Sequence, residues 1–157
     1  MRVLMKPLKI TTHSAKETQR VAYLLARELL KADLKRAGAL VIALEGDLGG
    51  GKTTFTQGFA RGLGVREKIL SPTFVIMKRY KLQAKSYKLF FHIDAYRLSG
   101  AKELRPLGWR DILKDKEAIV LVEWADRVRR VLPKEYIRFQ FEFVDEKTRN
   151  ITIEHGT

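Results

Sequence analysis

The chain contains no cysteine, which excludes a disulfide framework and any thiolate metal site. It has a single asparagine, Asn150, followed by Ile-Thr-Ile. The guanine-reading pattern N-K-x-D is therefore absent, and no D-x-x-G switch follows the glycine-rich segment described below. These two gaps disfavour GTP. Its three histidines lack metal-ligand spacing, which argues against zinc. No apolar run approaches the length of a membrane span, and the N-terminus has no signal-peptide core. Acid is scarce relative to base: 18 Asp and Glu stand against 31 Lys and Arg, a formal net charge of +13. Together these features predict a soluble, cytoplasmic, globular protein drawn to polyanions.

The basic excess is uneven. Arg66, Lys68, Lys78, Arg79, Lys81, Lys85 and Lys88 face only Glu67 across one stretch, and Arg127, Arg129, Arg130, Lys134 and Arg138 form a second cluster. Each lysine alone reads as solvated surface, while the clusters together are candidates for contact with RNA or an acidic protein. No repeat, low-complexity tract or linker divides the 157 residues, so a single domain spanning residues 1–157 is expected.

What the chain does have is Gly46-Asp47-Leu48-Gly49-Gly50-Gly51-Lys52-Thr53, a full match to the phosphate-binding pattern G-x-x-x-x-G-K-[ST]. Glycines let successive backbone N–H groups converge on phosphate oxygens, the lysine supplies a point charge, and the threonine hydroxyl completes a Mg2+ shell. The context fits. Ala39 to Leu44 is an unbroken apolar run, as in a strand buried on both faces. From Thr54 to Arg61 the pattern is helical, with Phe55 and Phe59 on one face, and Gly62 and Gly64 offer a C-terminal cap.

Elsewhere, Ser14 to Glu17 forms a capping box that opens a helix reaching about Ala37. Strands are expected at Phe74–Met77 and Leu89–Ile93, with the basic segment Lys78–Lys88 joining them as a hairpin. A short helix covers Ala101 to Leu107 and ends at Gly108. The apolar run Ala118–Val122 ends in Glu123. Tyr136–Phe143 alternates with period two and reads as a half-exposed antiparallel strand, turned by Asp145–Thr148 into a last strand, Asn150–Glu154. The order implies a three-layer α/β domain of the P-loop NTPase type, its central sheet mainly parallel with antiparallel C-terminal strands.

A phosphate loop needs a carboxylate at the end of a neighbouring strand to hold Mg2+. Glu123 and Asp94 both qualify, and the spacing does not choose between them as direct ligand. His92 alone reads as a structural histidine at a strand end. ATP is the better-supported nucleotide.

The phosphate loop through Thr54, Ser71-Pro72-Thr73-Phe74, His92-Ile93-Asp94-Ala95-Tyr96-Arg97-Leu98, Leu107-Gly108 and Val122-Glu123-Trp124 occur in an order and spacing that resemble the TsaE (YjeE) family over nearly the whole chain. The resemblance implies a small ATPase working with TsaB and TsaD in forming N6-threonylcarbamoyladenosine at position 37 of tRNA, without being the transferase. By motif, Gly46, Asp47, Leu48, Gly49, Gly50, Gly51, Lys52, Thr53, Thr54 and Thr73 would contact ATP. Thr53 and Glu123 would hold Mg2+, and Lys52 and Asp94 would act in catalysis, Asp94 by orienting water or assisting the metal. Ser71–Thr73 and His92–Arg97 resemble two switches. Trp124 resembles the family's tryptophan beside the acid. No adenine contact is assigned from the N-terminal region. A small-molecule P-loop kinase is the competing enzyme reading; Arg127, Arg129 and Arg130 could serve as its lid arginines, but no separate lid segment is evident in the sequence. An RNA-binding module gripping backbone phosphates is the non-enzymatic one.

Overall fold

A computed structural model describes residues 6–32, 34–70 and 75–156. Its centre is a seven-stranded sheet in the order β1-β7-β6-β2-β5-β4-β3. The strands are β1 (Leu8–Thr12), β2 (Leu40–Gly46), β3 (Met77–Lys81), β4 (Leu89–Asp94), β5 (Ala118–Glu123), β6 (Tyr136–Phe143) and β7 (Arg149–Gly156). The inner four, β6-β2-β5-β4, run parallel. Antiparallel pairs close both sides, β1 and β7 beyond β6 and β3 beyond β4.

The apolar run that opens β2 is buried on both faces because each face carries its own layer. Leu40, Ile42 and Leu44 pack with Phe55, Phe59, Ala22 and Ala26, which lie on helices α2 (Lys52–Gly62) and α1 (Ala15–Lys31). Val41 and Ala43 point the other way, into a layer with Leu104, Trp109 and Ile112. That layer is built from the 3₁₀ segment Ala101–Leu107, α3 (Trp109–Lys114) and a second 3₁₀ segment, Ala125–Val131. Three layers around a largely parallel sheet match the sequence expectation.

Aromatic packing sets α2 on the sheet. The Phe55 ring lies 5.0 Å from Phe139, 5.5 Å from Phe141 and 6.1 Å from Phe59, so two strand phenylalanines and one helical neighbour enclose it. Helix α1 then packs on α2 through backbone. A Cβ at Gly58 would meet the Gln19 carbonyl oxygen at 2.2 Å, and one at Gly62 the Tyr23 carbonyl oxygen at 2.5 Å. Ser14 caps α1 by accepting from Glu17 N–H at 3.0 Å, as the capping box predicts, while Glu17 reaches back one residue further than that motif requires and accepts from His13 N–H at 2.6 Å.

The structure corrects several expectations. Helix α1 ends at Lys31 rather than Ala37; Ala32 is extended, and Arg36 donates to the Gly38 carbonyl and the Tyr87 hydroxyl. Lys78–Lys81 is not a connector but most of β3, an edge strand whose Lys78, Arg79 and Lys81 are exposed while Tyr80 is buried. β6 is antiparallel only to β7 and runs parallel to β2, because a period-two pattern reports half-exposure and not the direction of the partner strand. β1 and α3 were not foreseen. Phe74 lies outside the described residues, as do Ser71, Pro72 and Thr73. Among the described residues no helix is long and apolar enough to cross a membrane.

Glycine to alanine inside a helix ordinarily stabilises by about 1 kcal/mol. Gly58→Ala is expected to do the reverse, since its Cβ meets rigid backbone of α1. A loss of about 1–3 kcal/mol, read by chemical denaturation, is the outcome; a gain would remove the close α1–α2 contact from this account.

Candidate functional site

The glycine-rich segment leaves the sheet at Gly46, where β2 and β6 approach so closely that a Cβ would stand 2.0 Å from the Phe141 carbonyl oxygen. It enters α2 at Gly51, whose left-handed φ of 96° suits glycine alone among the common residues. No side chain caps α2 and no acid lies in its first turn. The first N–H groups and the positive end of the helix dipole therefore stay available to an anion. Arg149, at the start of β7, donates from Nε to the Gly49 carbonyl at 2.9 Å and ties the loop's tip to the β6–β7 turn.

Lys52 is folded across this loop. Its ammonium donates to the carbonyls of Gly46 at 2.8 Å and Asp47 at 2.7 Å, and it lies 3.9 Å from the centre of the Trp124 ring. Burial pushes its pKa below the usual lysine value; Glu123, Asp126, Asp47 and Asp94 pull it back in part. Trp124 has φ 58° and is the one non-glycine residue with positive φ among those described. That backbone turn, directly after β5, swings the indole over Lys52 and against Tyr96, 4.9 Å between ring centres. The Arg127 guanidinium sits 5.2 Å from the Tyr96 ring.

Thr53 and Glu123, the two residues the resemblance offers for Mg2+, are brought together: Thr53 Oγ1 donates to Glu123 Oε1 at 2.7 Å. Glu123 is 1% exposed, and its Oε2 contacts His92 Nε2. Asp94 stands beside Glu123 in the β4–β5 register, and its Oδ1 accepts from the Tyr96 N–H at 3.0 Å; it does not line the cavity. Among the described residues no cluster of three or more metal-ligating side chains exists. A hydroxyl plus one carboxylate nevertheless suits Mg2+, which commonly takes one or two protein oxygens and completes its shell with phosphate and water. The donor set fits that ion.

A cavity of about 270 Å³ opens over the loop, lined by Leu48 through Thr54, Glu123 and Trp124. Its other wall was not read from the sequence. Ser14, Ala15 and Thr18 come from the start of α1, and Glu146, Lys147 and Arg149 from the β6–β7 turn. Nothing in the local pattern of either segment announces a ligand; only the sheet order brings both beside the loop. Glu45 was also missed, although a charge closing an apolar run marks it. It is 3% exposed and accepts from Arg129 Nη2 at 2.9 Å, with Arg138 at 3.9 Å. Thr73 lies outside the described residues.

Because burial lowers the Lys52 pKa, the folded protein releases that proton more readily than the unfolded chain does. Wild-type stability therefore gains as pH rises from the lowered folded pKa towards the ordinary lysine value. Lys52→Met lacks this gain. The melting temperature of the variant minus that of wild type is expected to fall as pH rises through that window, measured by thermal denaturation. A pH-independent difference would contradict the buried-ammonium geometry.

The family model described as "Threonylcarbamoyl adenosine biosynthesis protein TsaE" matches residues 12–151. A Bacillus subtilis protein named "tRNA threonylcarbamoyladenosine biosynthesis protein TsaE" is 37% identical over 94% of this chain and 85% of its own length. Proteins of the same name are 34% identical in Haemophilus influenzae, over 82% of this chain and 77% of theirs, and 41% identical in Streptomyces coelicolor, over 75% and 76%. The crystal structure of Bacillus subtilis YdiB superposes with a TM-score of 0.70 at 33% identity, covering 98% of this chain and 87% of that one. With the phosphate loop, the paired Thr53 and Glu123 and the P-loop sheet order already in place, the chain belongs to the TsaE family, proteins of tRNA threonylcarbamoyladenosine biosynthesis.

Proposed function

We propose that this chain binds and hydrolyses ATP as an accessory protein for forming N6-threonylcarbamoyladenosine at position 37 of tRNA, acting in the cytoplasm with TsaB and TsaD. The observation that carries the ATPase part is the Thr53–Glu123 hydrogen bond at 2.7 Å, which joins the first turn of α2 to the end of β5 at the mouth of an uncapped phosphate loop. Family membership supports the tRNA part.

In this reading the loop from Gly46 to Thr54 directs its N–H groups at the phosphates, and Lys52 leaves its two carbonyl partners to meet their charge. Thr53 and Glu123 hold Mg2+, which when bound neutralises charge developing on the transferred phosphoryl group. Asp94, next to Glu123 on the same sheet edge, orients the attacking water. Thr73 contacts the nucleotide as part of the first switch. The two basic clusters are candidate contacts for tRNA.

The kinase alternative loses ground at its lid. Arg129 is bonded to buried Glu45 and Arg127 lies on the Tyr96 and Trp124 rings, so both arginines are engaged at the edge of the domain rather than carried on a separate flap.

The test is ATP hydrolysis by the purified chain, alone and with a TsaB–TsaD pair from the same organism. Weak turnover alone and an altered rate with the pair are expected, and Lys52→Ala is expected to stop multiple-turnover tRNA modification in the reconstituted system. Glu123→Gln should lower ATP turnover by at least about tenfold. Absence of hydrolysis and of any response to the pair would sink the proposal. Stoichiometric phosphate transfer to a metabolite would favour the kinase.

A further inference from the structure

One fully buried ionisable side chain has no task in the reading above. His92 lies on β4 and is 0% exposed. Side chains alternate along a strand, so Phe90, His92 and Asp94 share a face. Across the β4–β5 register Phe90 stands opposite Ile119, His92 opposite Leu121 and Asp94 opposite Glu123. Phe90, Ile119 and Leu121 belong to the layer that packs on α2. His92 and Glu123 therefore end that apolar layer at the sheet edge where Thr53, from the first turn of α2, comes down on it.

The hydrogen bonds follow from this placement. Glu123 Oε1 accepts from Thr53 Oγ1 at 2.7 Å, and Oε2 meets His92 Nε2. The other imidazole nitrogen, Nδ1, is buried and has no hydrogen-bond partner among the described residues. A proton on Nδ1 would be a buried donor with nothing to donate to. Nε2 is the nitrogen that faces an acceptor, so it is the one placed to donate. His92 is thus a one-directional donor aimed at a single carboxylate oxygen.

We propose that His92 is the positioning residue of the Mg2+ site: its Nε2–H pins Glu123 Oε2, so that Oε1 stays on the Thr53 side, where the ion would lie. This rests on reading Thr53 and Glu123 as the metal's protein oxygens. A glutamate has several side-chain torsions, and pinning one oxygen removes the rotamers that turn the other away. Partners of this kind, behind a metal ligand, typically account for 10- to 100-fold in metal affinity. A histidine that merely filled the layer would do so by shape, without regard to its donor.

The experiment separates donor from shape. The full chain is titrated calorimetrically with a non-hydrolysable ATP analogue, once with Mg2+ and once with EDTA, and the ratio of the two dissociation constants gives the Mg2+ enhancement. His92→Phe keeps a planar ring without the donor and is expected to lose about tenfold or more of that enhancement while affinity in EDTA stays the same. His92→Gln returns an N–H near the Nε2 position and is expected to stay within about threefold of wild type. Full enhancement in His92→Phe, or equal loss in both variants, overturns the proposal. Glu123→Gln tells the two failures apart. Retained enhancement there overturns the metal reading and the proposal with it; loss there beside retention in His92→Phe overturns the proposal alone. If His92→Phe does not fold, imidazole nitrogen NMR on the wild-type chain decides, with the His92 signal identified by its absence in His92→Gln. An Nε2-protonated ring with and without the Mg2+ analogue complex supports the proposal, and an Nδ1-protonated ring overturns it.

Discussion

A carboxylate that is 1% exposed must find a donor for each oxygen or lose its hydration without return. Glu123 finds Thr53 on one side and His92 on the other. Those two contacts bind the start of α2, the end of β4 and the end of β5 at one point. The Glu123 carbonyl adds a third tie, accepting from Ala95 N–H at 3.0 Å. The chain after Glu123 leaves the sheet through the left-handed turn at Trp124. That turn puts the indole over Lys52. The shape of the site thus follows from satisfying one buried acid.

The apolar layers make such an arrangement affordable at a sheet edge. Phe55, held by Phe139 and Phe141, anchors the helix whose first turn carries Lys52 and Thr53. The glycine contact between α1 and α2 brings Ser14, Ala15 and Thr18 to the cavity. On the opposite face, Glu45 closes β2 just before the loop and holds Arg129, so both faces of the sheet end in a buried acid beside the phosphate loop. Single deletions within such a phenylalanine cluster cost about 3–5 kcal/mol, of the order of half the stability of a small domain. Loop geometry and fold stability therefore draw on the same side chains.

The elements legible in the sequence were those whose cause is local. The phosphate loop is spelled by residue type, the strands β2 and β5 by unbroken apolar runs, and the start of α1 by its capping box. Thr53 and Glu123 could be paired only through the family resemblance, since the residues themselves left Asp94 open as the acid. What stayed hidden was set by the sheet order. Ser14 and Arg149 line one cavity only because β1 and β7 add to the far side of β6. The direction of β6 against β2 is likewise invisible in its alternation. His92 looked like an ordinary strand-end histidine, since nothing near it in the chain says that Glu123 will lie alongside.

The basic segment that resembles a surface connector has a different place, as the outermost strand β3 beside β4. An outermost strand offers a row of unpaired N–H and C=O groups to any other extended chain, and natural sheets discourage that encounter with lysines and arginines along the rim. Lys78, Arg79 and Lys81 stand there exposed, around a single inward Tyr80. Exposed charges on an outermost strand of this kind have a physical use that needs no ligand, since they discourage another sheet from growing onto the rim. Neutralising those three positions would leave the phosphate loop untouched, yet it would open the rim to strand-on-strand aggregation.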